Sequence, residues 1–128
     1  MIERLLQEIE LLQKQYGELE HDPNLTWILF KEFKLPPGWY KECTELLIKI
    51  PIGYPSIPPD NFFVPTGFKL ANGQSIDRCT PAGTIIGKDW LQFSYHSEGD
   101  WSPSENLLEG DNLMSFMLKI LDRLNEAN

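Results

Sequence analysis

Cysteine, histidine and long apolar runs are all scarce in this sequence. Its 128 residues include two cysteines and two histidines, a thin basis for a metal site. No uninterrupted apolar run exceeds five residues, whereas a helix needs about 20 to cross a bilayer. A glycine-rich phosphate loop and a Gly-x-Ser-x-Gly nucleophile elbow are also missing. We therefore expect no metal, no cofactor and no membrane span.

Basic residues are few as well. Eleven lysines and arginines stand against nineteen acids, which gives a formal net charge of −8. A field of that sign repels phosphate backbones and anionic membrane surfaces. The opening residues lack the basic-then-apolar pattern of a signal peptide. The sequence predicts a cytoplasmic protein with reduced cysteines that binds neither nucleic acid nor membrane.

The hydrophobic pattern predicts one α+β domain over residues 1–128. Apolar residues at three-and-four spacing over 2–19 indicate a helix, with Glu8 and Glu10 on its solvent side. Residues 43–50 alternate, so Thr44, Leu46 and Ile48 share one face of a half-buried strand. With strands on either side, residues 25–64 read as a four-stranded antiparallel meander.

The second half of the chain combines a glycine- and proline-rich stretch with a helical one. Residues 65–92 lack strong periodicity and are expected to form a long loop, which is uncommon in a compact domain and usually functional. Ser102–Glu105 fits a capping box, so C-terminal helices are expected from residue 103 to about 125. These helices complete the predicted α+β architecture.

Several short motifs follow one another in an order that is typical of a known fold. Tyr-Pro-x-x-Pro-Pro begins at Tyr54, and a Trp-x-Pro begins at Trp101. Together with the helix and meander before them, they resemble the ubiquitin-conjugating enzyme fold over nearly the whole chain. More narrowly, the sequence is similar to a bacterial branch with a Leu-Pro-Pro-Gly turn, here residues 35–38, and a Trp-x-x-Trp-Ser-x-His stretch, here residues 90–96. Phe93 replaces the second tryptophan of that stretch.

The resemblance implies an acyl-transfer function. Such a protein accepts the C-terminus of a ubiquitin-like protein from an activating enzyme, holds it as an ester or thioester, and passes it to an amine of a target protein. The activating enzyme consumes the nucleotide, which agrees with the lack of a phosphate loop. The alternative is a catalytically inactive member of the fold that only binds a ubiquitin-like protein.

Two nucleophiles compete for the catalytic role. Cys79 lies about as far beyond the proline-rich motif as a conjugating-enzyme cysteine should, and a thiolate is the better nucleophile at neutral pH. Ser94 matches the serine of the bacterial branch, and His96, two residues on, points the same way in an extended chain and is placed to act as general base. The sequence alone leaves both open.

The supporting residues implied by the resemblance match the family's pattern less well. The His-Pro-Asn that precedes the cysteine in eukaryotic relatives is missing; the nearest remnant is Leu70–Gly73. Its Asn72 is a candidate amide donor to the oxyanion, although Asn-Gly is also an ordinary turn. Trp101 is expected to support the site at the start of a helix.

Overall fold

A computed structural model describes residues 2–94 and 101–126, and within these ranges the chain forms two helices and six strands. Helix α1 spans Ile2–Tyr16, and helix α2 spans Leu113–Glu126. The strands are β1 (Leu19–His21), β2 (Trp27–Lys34), β3 (Cys43–Lys49), β4 (Asn61–Pro65), β5 (Cys79–Ile85) and β6 (Lys88–Ser94). The α+β class, the N-terminal helix and the C-terminal helix are confirmed. No helix in the described ranges is long and apolar enough to span a membrane.

All six strands join in one antiparallel sheet of order β1-β2-β3-β4-β6-β5. The first four strands pair in sequence order, as a meander requires. Strand β6 then adds beside β4, and β5 lies outside it at the edge of the sheet. Phe62 and Phe93 face each other across β4 and β6 and stack with ring centroids 4.7 Å apart. This contact in the core joins β5 and β6 to the first four strands.

The main core lies between one face of the sheet and the two helices. Leu46 and Ile48 are completely buried, which confirms the face that the alternation predicted. Helix α1 begins this layer with Leu5, Ile9 and Leu12, and it ends at Tyr16 because Gly17 adopts a φ of 88°, a conformation that favours glycine. Helix α2 contributes the apolar stripe expected from the sequence: Leu113, Phe116, Met117, Ile120 and Leu124.

The opposite face of the sheet carries a second, smaller apolar cluster. It is built on Leu29, Leu47, Phe63 and Trp90. The alternation assigned Leu47 to the solvent side, but its side chain is fully buried. One reason is that lysines lie over the aromatic rings of this cluster: the Nζ of Lys49 is 5.1 Å from the centroid of Phe63.

The expected loop over residues 65–92 is wrong in its second half, because strands β5 and β6 begin there. They form a hairpin whose two-residue turn is Ile86 and Gly87, with φ values of 42° and 85°. An isoleucine in that conformation is uncommon and gives no turn signal in a sequence. Strand β5 lies at the edge of the sheet, so it carries no buried alternation. The sheet therefore has six strands rather than four.

The predicted start of the C-terminal helices is also wrong. In the described residues 101–112 the chain forms no helix; instead Ser102 and Asp111 close a loop, with the Ser102 N–H donating to Asp111 Oδ2 at 2.8 Å. Gly110 fits this loop because a Cβ there would meet the Ser104 nitrogen at 2.5 Å. Asn112 and Ser115 then cap α2 reciprocally, each side chain accepting the other's backbone N–H at 2.9 Å. One capped helix therefore replaces the expected series.

Candidate functional site

Ser94 is the last residue of β6 and is partly exposed. It faces Asn61 of β4 in the antiparallel register, and its backbone N–H donates to the carbonyl of Arg78 at 3.0 Å. The neighbouring strands thus fix the backbone at Ser94 from both sides. The side chain lies at the end of the strand, and the next described residue along the chain is Trp101.

The two candidate nucleophiles project from opposite faces of the sheet. Cys79, the first residue of β5, faces Phe93 in the register, so it shares the core-facing side with that ring. Ser94 follows Phe93 directly and therefore points to the other face. The structure does not bring the two groups together, and only one of them can be the acceptor of a given acyl group.

Cys79 is held in a poor state for nucleophilic attack. Its thiol is half-buried against the core, and burial raises its pKa to about 11, while the nearby Arg123 partly lowers it. Because the thiolate is the reactive form, only about one molecule in 10⁴ would carry it at pH 7. The increase in the pKa of Cys79 that burial causes is therefore larger than the decrease that the positive charge of Arg123 causes.

Arg123 is a feature of the site that the sequence does not reveal. It lies in the last turn of α2 with 3% of its surface exposed. Its guanidinium donates to the backbone carbonyl of Asp77 and lies 5.1 Å from the ring centroid of Phe93. Arg123 therefore ties α2 to the beginning of β5 and the end of β6. The only sequence signal is a base within an apolar helix pattern.

Of the remaining predicted site residues, Asn72 and Trp101 are described and have different partners, whereas His96 lies outside the described residues. Asn72 is exposed in a turn, where its Oδ1 accepts the Gln74 N–H at 2.9 Å and its Nδ2 donates to Gln74 Oε1 at 3.3 Å. Trp101 donates from Nε1 to the Pro55 carbonyl at 2.7 Å. Trp101 thus holds the proline-rich segment between β3 and β4.

A buried carboxylate joins that segment to both helices. Glu8, expected on the solvent side of α1, is 0% exposed. Its Oε1 accepts from the Tyr54 hydroxyl at 2.5 Å and from the Leu113 N–H at 2.7 Å, and its Oε2 accepts from Arg4 Nε at 3.1 Å. Burial and the Glu8 carboxylate raise the pKa of Tyr54, so this hydroxyl stays protonated. The tyrosine of the Tyr-Pro-x-x-Pro-Pro motif is therefore part of a structural junction.

A signal for Glu8 was present in the sequence. It lies three residues after Leu5 and four before Leu12, both buried, and so falls on the apolar stripe of α1. A carboxylate at such a position needs partners, and Arg4 one turn earlier is one of them. The other two come from distant parts of the chain, which the helix pattern cannot show.

Comparison with known proteins identifies the family. The model of prokaryotic E2 family E matches residues 4–127, nearly the whole chain. The chain belongs to this family. Its resemblance to bacterial ubiquitin-conjugating enzymes, the E2 type, is thereby confirmed, and with it a conjugating role in general. No curated protein and no solved structure gives a significant match.

The described residues of this E2-family chain show no metal centre. No group of three or more histidine, cysteine, aspartate or glutamate side chains in the described ranges is arranged to hold a metal ion.

Proposed function

We propose that this chain is a cytoplasmic E2-type carrier that accepts the C-terminus of a ubiquitin-like protein from an activating enzyme on Ser94 and transfers it to an amine of a target protein. Family membership over residues 4–127 supports a conjugating role. The observation that favours Ser94 is its position: partly exposed at a strand end and away from the core, whereas the Cys79 thiol is half-buried with a raised pKa.

The proposed reaction has two acyl transfers. In the first, the Ser94 oxygen attacks the carbonyl of an incoming thioester, the new C–O bond forms, and the C–S bond breaks to release a thiolate. His96 takes the hydroxyl proton and passes it to the departing thiolate, so that His96 is neutral again for the second transfer. In the second, the target amine attacks the ester carbonyl, the C–O bond breaks, and the proton lost by the amine passes through His96 to the Ser94 oxygen. No cofactor takes part.

The chemical lability of the adduct tests this function. The full chain, with the exposed Cys43 changed to alanine, is incubated with a fluorescein-labelled diglycine thioester of mercaptoethanesulfonate and followed by intact mass. We expect an adduct on Ser94 that resists excess thiol but is cleaved by mild alkali, because an alkoxide is a much poorer leaving group than a thiolate.

Three variants assign the groups. Ser94→Ala should remove the thiol-resistant adduct, and His96→Ala should slow its formation by about 10²- to 10⁴-fold if His96 is the general base. Cys79→Ala should leave it unchanged. If Cys79→Ala alone abolished a thiol-labile adduct, the thioester route would replace the Ser94 route.

A second function is favoured by one observation. Cys79 is poorly reactive, and Asn72 is engaged in its own turn, so the described residues do not assemble a conventional thioester centre around Cys79. This is the arrangement expected of an inactive E2-fold module that binds a ubiquitin-like protein without a covalent bond. Absence of any adduct from the unmodified chain would favour this module over the carrier.

A further inference from the structure

The Leu-Pro-Pro-Gly turn lies in the loop between β2 and β3, and the proposed acyl transfer gives this loop no role. The loop borders a groove of about 670 Å³, formed by the consecutive residues from Lys34 at the end of β2 to Glu42 just before β3. Ligand sites in proteins usually have volumes of about 300–1,000 Å³. The groove is therefore large enough to hold a short segment of another chain.

Contacts within the fold keep this loop in place. The Leu35 N–H donates to the Glu42 carbonyl at 2.7 Å, which continues the pairing of β2 and β3 into the loop. Trp39, at the middle of the loop, is 6% exposed and packs on Phe68 with ring centroids 4.5 Å apart. Because the loop is fixed before a partner arrives, binding there does not have to order it first.

Lysines are concentrated around the loop. Lys34 and Lys41 line the groove, and Lys69 lies beside it, where the Lys69 carbonyl accepts the Tyr40 N–H at 3.1 Å. All three lysines are exposed, and none forms an ion pair within the part of the chain that the structure describes. Among the described residues, Glu42 is the acid that lines the groove. The loop and its neighbour are thus locally positive in a chain whose net charge is −8.

Unpaired lysines on one groove favour a ligand of the opposite charge. The positive charges of Lys34 and Lys41 repel each other, and a carboxylate bound between them removes that repulsion. The Nζ of Lys41 lies 5.2 Å from the centroid of the Tyr40 ring, so this side chain is already partly ordered. Since the net charge of the chain repels acidic partners elsewhere, such a partner is directed to this loop. Several carboxylates on one extended chain satisfy the spread of lysines better than a single anion does.

We propose that the loop between β2 and β3 is a docking surface for an acidic, extended segment of a partner protein, whose carboxylates pair with Lys34, Lys41 and Lys69. The proposal goes beyond the acyl transfer and does not depend on it, because neither Ser94 nor Cys79 lines the groove. Each of these exposed ion pairs contributes little, so recognition comes from their number and arrangement.

Fluorescence anisotropy with a labelled peptide tests the proposal. The full chain is titrated into a fluorescein-labelled peptide of alternating Glu and Gly, and into its counterpart of alternating Gln and Gly, at low ionic strength. We expect the Glu peptide to bind about tenfold more tightly, the product of three exposed ion pairs that each contribute about twofold. This preference should weaken as salt is added. Free glutamate at the same carboxylate concentration should not displace the peptide.

A triple variant removes the proposed contacts. Lys34→Gln, Lys41→Gln and Lys69→Gln together should weaken binding of the Glu peptide by about tenfold and leave binding of the Gln peptide unchanged. The melting temperature should stay within a few degrees of the unmodified value, because all three side chains are exposed.

A second triple variant with the same net charge is the matched control. Lys14→Gln, Lys49→Gln and Lys119→Gln together remove three charges from α1, from the far end of β3 and from α2. Exposed charges more than about 10 Å from the peptide are largely screened. The control should therefore bind the Glu peptide within about twofold of the unmodified chain.

The outcomes decide between a docking surface and a general effect of charge. Equal binding of the Glu and Gln peptides would overturn the proposal, and so would equal weakening by the two triple variants, which is the effect of net charge alone. Displacement by free glutamate would also overturn it, because the loop would then bind simple anions only. Ser94→Ala should bind the peptide as the unmodified chain does, so failure of the carrier function would leave this result unaffected.

Discussion

Replacing Glu8 with glutamine should destabilise the protein strongly, although it changes one atom of the side chain. Glu8 is fully buried and accepts hydrogen bonds from Tyr54, Leu113 and Arg4, which belong to the proline-rich segment, the first turn of α2 and α1. Each of these bonds is strengthened by the negative charge. In Glu8→Gln the charge is lost, and one oxygen becomes an N–H₂ group that opposes the Arg4 donor.

The size of the expected destabilisation follows from the three hydrogen bonds that Glu8 accepts. A hydrogen bond to a charged group contributes about 1.5–3 kcal/mol and a neutral one about 0.5–1.5. A loss of roughly 1 kcal/mol at each bond gives about 3 kcal/mol, a large part of a total stability of roughly 5–15 kcal/mol. At roughly 4 °C per kcal/mol for a chain of this size, the melting temperature should fall by about 12 °C.

Urea unfolding measured by tryptophan fluorescence checks this value, with Glu10→Gln as the matched control. Glu10 lies on the same helix, but its side chain is 69% exposed, and its ion pair with Lys14 is 3.7 Å long. Its replacement should change the free energy of unfolding by less than about 0.5 kcal/mol. If Glu8→Gln unfolded at the same urea concentration as Glu10→Gln, the junction around Glu8 would contribute nothing, and the reasoning would be refuted.

Two further predictions concern the cysteines and Trp101. Iodoacetamide at pH 7 should label the exposed Cys43 and leave Cys79 almost untouched; labelling of Cys79 should rise with pH toward about 11, as its thiolate forms. Equal labelling of both at pH 7, read by intact mass, would contradict the burial of Cys79. Trp101→Phe removes the 2.7 Å bond to the Pro55 carbonyl and should lower the free energy of unfolding by about 1 kcal/mol; an unchanged urea midpoint would show that this bond contributes nothing.

Apolar periodicity predicted the elements that bury a continuous face. Leu46 and Ile48 alternate with polar residues, and α1 repeats its apolar residues every three or four positions, so both patterns follow directly from burial. The apolar pattern did not predict strand β5, because an edge strand needs no buried alternation. The start of α2 was misplaced because Ser102–Glu105 has the composition of a capping box, yet Ser102 bonds to Asp111 across a loop.

The sequence could predict a pairing of site residues only where the two residues are close together along the chain. Ser94 and His96 are two residues apart, so their pairing is an expectation that a sequence can supply. Asn61 and Ser94 are far apart along the chain and meet through the register of β4 and β6. Glu8 likewise reaches Leu113 only in the folded protein. Contacts of this kind depend on the sheet order, which residue spacing does not determine.

The choice of nucleophile is also a choice of sheet face. An acyl group on Ser94 would lie on the face of Asn61, whereas one on Cys79 would lie on the side of Arg123 and α2. Cys79 is half-buried but also lines a surface groove of about 300 Å³ with Ile76 and Leu91, so packing alone does not exclude an acyl group there. The raised pKa of the Cys79 thiol is therefore the observation that favours Ser94, because few molecules carry the reactive thiolate at pH 7.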